Sequence, residues 1–134
     1  MQREVVGEMR GRKIVLMDSV ALIGPEEDGQ VVVSASHGGR SAAEYAGRQR
    51  PFAVFFNDAG IGKEGAGIAG LRLLEGAGVA AGAVGHLSAR IGDARDTWES
   101  GVIAHVNRPA REAGFQPGAP LRRAIEEVLG RWPT

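Results

Sequence analysis

The chain has 134 residues, 43% hydrophobic and 24% charged, which suits one globular domain and excludes wholesale disorder. Sixteen basic residues balance sixteen acidic ones, so no global charge draws the protein to nucleic acid or to an anionic membrane. Cysteine is absent, which removes disulfides, thiolate nucleophiles and Cys-ligated zinc, and no apolar run nears the roughly 20 residues that span a bilayer; with no signal-like pattern behind Met1, a cytoplasmic location is expected.

Residues 4–9 read as an edge strand or a loose arm, and the β-branched run 13–17 as a strand ending at Asp18. Proline, glycine and acids from Gly24 to Gly29 mark a turn. Val31-Val32-Val33 gives the second core strand, running into Ser34-Ala35-Ser36-His37-Gly38-Gly39. Ser41 is placed to cap a helix over 42–46, with Glu44 in the reach-back position of a capping box, and that helix must stop by Pro51. Residues 52–56 form a third strand, apolar on both faces as a covered parallel strand is, ending at Asn57-Asp58. A glycine-rich loop, 59–67, leads to a helix bearing Ile68, Leu71, Leu73 and Leu74, stopped at Gly76–Gly78. The fourth strand, 79–84, ends at Gly85-His86-Leu87-Ser88.

Asp93 caps a short helix that contains Trp98 and closes at Gly101. Residues 102–106 read as a turn or short strand, followed by a helix to Ala113. Pro120 opens the last helix, with Leu121, Ile125, Val128, Leu129 and Trp132 on one stripe, a Glu127–Arg131 pair on its surface, and Gly130 and Pro133 as its stop. This alternation predicts a single three-layer α/β/α domain over 1–134, with a mainly parallel sheet of four or five strands and 1–12 as the edge strand or arm.

Open parallel sheets bind ligands outside the carboxyl ends of their strands. Four such exits here carry Asp18-Ser19; Ser36-His37-Gly38-Gly39-Arg40; Asn57-Asp58 with Lys63; and His86 with Ser88, Arg90 and Asp93. Asp58, behind an apolar strand, is expected to be partly desolvated, and His86 and His37 bring imidazoles that titrate near neutrality; these three are the acid–base candidates. Ser36, Gly38, Gly39, Arg40 and Ser41 in the first turn, Asn57, Gly60, Gly62 and Lys63 in the second, and Ser88 and Arg90 in the third are candidates to hold an anion through amides, hydroxyls and cationic side chains. The competing reading of each is structural: caps, turn closures and helix starts.

The Gly60-Ile61-Gly62-Lys63-Glu64-Gly65 pattern is not a dinucleotide fingerprint, because Asn57-Asp58 intervene after the strand and no acid closes the next strand to grip a ribose. Glutamate after Gly62-Lys63 breaks a Walker motif, and the absence of G-x-S-x-G leaves a Ser36–His86–Asp58 triad without its elbow. His37, His86 and Asp58 or Asp18 have no HxH or HExxH spacing, so neither a metal nor a cofactor is expected. His105 and Trp98 are assigned to a lid packed over the sheet.

Ser34 to Gly39, Phe56 to Lys63 and Ser88 to Asp93 spell SxSHGG, FNDAGxGK and SARIGD. In these motifs the chain resembles a family of short bacterial proteins with no named activity, a likeness that spans most of the chain after Asp18. A fainter likeness, over Gly39-Arg40-Ser41-Ala42, Arg50-Pro51 and the strand that follows, is to the carboxyl-terminal domain of pyruvate kinases; it implies an α/β layer domain of the kind that in some members binds a phosphorylated effector. Three functions remain open. One is a small enzyme acting on a phosphorylated or carboxylated metabolite, with Asp58 and His86 exchanging protons and Lys63, Arg40 and the glycine-turn amides holding the charge. The others are a non-catalytic module binding a small anion at the same edge, and a self-associating structural protein. A homo-oligomer that completes its site across subunits is expected, with no nucleic-acid or membrane partner.

Overall fold

A computed structural model describes residues 3–132. The element order is β1 (Arg3–Met9), β2 (Arg12–Met17), β3 (Val31–His37), α1 (Arg40–Gly47), β4 (Ala53–Asn57), α2 (Ala69–Gly76), β5 (Ala80–Val84), α3 (Ala94–Ser100), β6 (Ile103–Val106), α4 (Arg108–Ala113) and α5 (Leu121–Arg131). The six strands form one mixed sheet in sequence order. β2 to β5 are parallel, while β1 and β6 run antiparallel on the two edges. The sheet thus has six strands rather than four or five. The first edge strand comes from a tight hairpin, in which Arg10 (φ 53°) and Gly11 (φ 85°) supply the two positive φ angles that a two-residue turn needs.

Side chains of the central strands alternate between two buried clusters. Leu16, Val33 and Phe55 pack with Trp98 of α3 and Ile125 and Leu129 of α5. Val15, Val32, Val54 and Phe56 pack with Ala42 and Ala46 of α1 and Leu71 and Leu74 of α2. Both faces of the parallel strands are therefore covered, which is why their sequence reads as unbroken apolar runs. α1 and α2 share a face because crossovers of one hand, stepping in one direction along a sheet, must return on the same side.

Several local expectations are corrected. Gly39, not Ser41, precedes the first turn of α1, and no side chain caps that helix, so neither Ser41 nor Glu44 forms a capping box. The surface pair on α5 is Arg122–Glu126 at 3.5 Å, one turn earlier than Glu127–Arg131. Gly130 lies inside α5, and Pro133 falls outside the described residues. Asp93 does cap α3, its side chain accepting from the Asp96 amide, and Trp98 is buried in the core. Among the described residues no helix is long and apolar enough to cross a membrane.

Candidate functional site

The chain leaves β4 toward the face covered by α2, and leaves β5 toward the face covered by α3. Neighbouring strand exits that part in this way open the position where α/β sheets receive ligands. Asp58 stands at the first exit and His86 at the second. The Asp58 amide donates to the Val84 carbonyl at 2.9 Å, which continues the β4–β5 ladder one residue past the strand and fixes the carboxylate between the two exits.

Asp58 is only 5% exposed, as its place behind an apolar strand predicts. Its Oδ1 accepts from the backbone amides of Gly60 (2.8 Å) and His86 (3.0 Å). The His86 Nδ1 lies 3.4 Å from that same oxygen, a contact longer than a well-formed hydrogen bond. The His105 Nε2 lies 3.2 Å from Oδ2. One buried carboxylate thus faces two imidazoles and two amides, which compensate the cost of burying its charge. Both oxygens of Asp58 are thus engaged.

His105 is the residue that sequence reasoning assigned to a lid. It reaches Asp58 through a β-bulge: Ala83 pairs with His105 and Val84 with Ile103, leaving Ala104 extra. The added residue breaks the two-residue alternation, so Ile103 joins the α3–α5 core while His105 sits on the other face of β6. A period-two reading of 102–106 cannot reveal this, because it puts Ile103 and His105 on the same face.

In the neutral state each ring that turns one nitrogen to the carboxylate keeps its proton there, which sets the tautomer. His86 turns Nδ1 toward the carboxylate, on a side chain that is 51% exposed. His105 carries its hydrogen on Nε2 and keeps Nδ1 uncommitted, on a side chain 27% exposed. The His86 ring lies over Gly60, where an added Cβ would come within 3.6 Å of it.

The third histidine is elsewhere. His37 ends β3, and its ring lies so close to Gly39 that a Cβ there would sit 2.7 Å from Cε1. It lines a separate cleft of about 380 Å3 with Asp18, Ser36, Ser41, Tyr45 and Ile91, and makes no hydrogen bond or ion pair with Asp58. The strand-end edge therefore carries two groupings, His86–Asp58–His105 and the His37 cleft, where the sequence suggested one.

Many of the expected anion ligands are occupied by structural bonds. The Asn57 side chain is wholly buried, donating to the Ala89 carbonyl (3.0 Å) and accepting from the Ala59 amide (2.7 Å). Ser88 Oγ donates to Gly85 and accepts from Val102, and Ser36 Oγ accepts from Val20. The Gly38 amide extends the sheet by donating to Asn57. In the glycine-rich loop the amides of Gly60, Ile61, Gly65, Ala66, Gly67 and Ile68 all donate within the loop or to Asp58. Gly62 takes φ 75° with an exposed backbone, and Lys63 stands exposed in the short 3-10 turn Lys63–Gly65. Arg40, at the first turn of α1, and Arg90, in the loop before α3, are exposed at the surface. The Gly39 carbonyl accepts from the Ala43 amide at 3.1 Å.

Two further clefts adjoin other parts of the fold. One, of about 400 Å3, lies between α2, β6 and α4 and is lined by Ile68, Leu71, Arg72, Glu75, His105 and Arg111. The other, also about 400 Å3, sits at the far end of the sheet beside the β1–β2 turn and the end of α5, remote from any histidine. The described residues contain no cluster of three or more histidine, aspartate or glutamate side chains able to hold a metal ion. No protein-family model, no curated protein and no solved structure gives a significant match to the chain.

Proposed function

We propose that the chain is a small enzyme that acts on a phosphorylated or carboxylated metabolite by general acid–base chemistry, with His86 as the proton-exchanging residue and Asp58 and His105 as its support. The observation that carries this reading is the buried Asp58 carboxylate set between His86 and His105 at the parting strand exits. A carboxylate behind an imidazole fixes the tautomer and stabilises the imidazolium formed when the far nitrogen takes a proton. In that role the exposed Nε2 of His86 accepts a proton from the substrate and returns it, while Asp58 keeps its own charge. The supporting architecture is read as a three-layer α/β/α sandwich, and the absence of cysteine favours a cytoplasmic setting.

The saturation of both Asp58 oxygens favours a second reading, a non-catalytic module in which Asp58 simply ties the ends of β4, β5 and β6 around a small-anion site. Leu87, 92% exposed beside His86, and the half-exposed Ile91 point further to a homo-oligomer that covers this edge, or to a protein whose role is self-association. The three readings separate in one screen. A panel of phosphorylated and carboxylated metabolites is followed by proton and phosphorus NMR with wild-type protein, His86→Ala and Asp58→Asn. Enzymatic function predicts conversion of one compound, abolished by His86→Ala and strongly reduced by Asp58→Asn. Binding without conversion supports the module, and neither binding nor conversion, with a change in particle mass for Leu87→Asp, supports self-association.

A further inference from the structure

The cleft between α2, β6 and α4 combines two arginines with a histidine that contacts Asp58. Arg72 projects from α2 and Arg111 from α4, both line it, and neither guanidinium forms an ion pair or hydrogen bond among the described residues. Ile68, Leu71 and Pro117 supply an apolar wall. His105 lines the same cleft, with Nε2 committed to Asp58 and Nδ1 uncommitted. The single acid present, Glu75, has an oxygen engaged by the Arg108 amide at 2.6 Å. The walls are rigid because Asn107 joins them, its side chain bonding to Leu71 in α2, to Val79 and Ala81 at β5, and to Ala110 in α4.

We propose that this cleft is the anion-binding site of the protein, taking a small organic anion whose phosphate or carboxylate lies between Arg72 and Arg111 and whose carbon body rests on Ile68, Leu71 and Pro117. Two guanidiniums offer paired donors to either group, and about 400 Å3 accommodates a metabolite of modest size. The charge is then held by Arg72 and Arg111 rather than by Arg40, Lys63 and the glycine-turn amides, most of which are spent on internal bonds. His105 connects the bound anion to Asp58, and through it to His86. That connection rests on the acid–base reading; binding itself does not.

The test is a titration of the full chain with inorganic phosphate and, separately, with succinate, followed by calorimetry and by the nitrogen NMR signals of the histidine rings. Four proteins are compared: wild type, Arg72→Gln, Arg111→Gln, and the double variant Arg40→Gln/Lys63→Gln. All changed residues are exposed, so the fold is expected to persist. The proposal predicts that at least one anion binds wild type and shifts the His105 Nδ1 signal. Each of the two cleft variants should bind roughly tenfold or more weakly, and the Arg40/Lys63 variant as wild type. Whichever anion binds more tightly identifies the phosphate or the carboxylate class. Absence of binding by both anions, or binding lost only in the Arg40/Lys63 variant, overturns the site. Anion binding of this pattern without any metabolite conversion would leave the site standing and refute the enzyme reading instead.

Discussion

Replacing Asn107 by alanine should lower stability by about 3 kcal/mol. The residue is 5% exposed and makes four side-chain hydrogen bonds: Oδ1 accepts from Ala81 (3.0 Å) and Ala110 (3.1 Å), and Nδ2 donates to Leu71 (3.1 Å) and Val79 (2.9 Å). At roughly 0.5–1.5 kcal/mol net per bond the range is about 2–6 kcal/mol, and a water entering the vacated space brings it toward the lower half. Against a domain stability of roughly 5–15 kcal/mol this is a large fraction, equivalent to a melting point lower by roughly 10 °C. Urea unfolding followed by circular dichroism measures it. Asn107→Asp is the sharper companion: it keeps the acceptor that caps α4, but turns a carboxylate oxygen toward two carbonyl oxygens. It should lose at least as much. A loss below 1 kcal/mol in Asn107→Ala, or a wild-type Asn107→Asp, would refute the idea that this side chain holds α2, β5 and α4 together.

Three further outcomes follow from particular contacts. Gly67→Ala should unfold the 59–68 loop or cost more than about 3 kcal/mol, because an added Cβ would lie 1.9 Å from the Asp58 carbonyl oxygen; a thermal melt within a degree or two of wild type would contradict the close packing of loop on strand. Asp58→Asn places an amide opposite His105, and should transfer the ring hydrogen of His105 from Nε2 to Nδ1, visible in long-range nitrogen–proton NMR spectra. An unchanged pattern would mean that Asp58 does not set that tautomer. Gly114→Ala, at φ 115° behind α4, should cost about 1–2 kcal/mol by chemical unfolding, with no loss at all contradicting the left-handed cap.

The sequence exposed most of the frame. Apolar runs separated by glycine and proline located the four parallel strands, and Asp93, Gly101 and Pro120 bracketed helices as their capping chemistry dictates. Asp58 and His86 were legible as neighbours because parallel strands must end on one edge. His105 was not, since one extra residue in β6 reverses which face it occupies, and a bulge leaves no mark in a five-residue apolar pattern. Nor was the structural use of Asn57, Ser36 and Ser88. Their partners Ala89, Val20 and Val102 lie 32, 16 and 14 residues away, and spacing along the chain does not tell a buried bond from a ligand contact. Asn107, which caps α4, was not singled out, and its bonds to Leu71 and Val79 depend on how two elements dock.

The measurement closest to the centre of the account is the tautomeric state of His86 and His105 in the wild-type protein, read from nitrogen–proton correlations at a pH where both rings are neutral. The geometry predicts opposite patterns, hydrogen on Nδ1 in His86 and on Nε2 in His105, each directed at Asp58. Two rings with the same tautomer, or rings that exchange freely between both, would contradict a carboxylate that holds them in place.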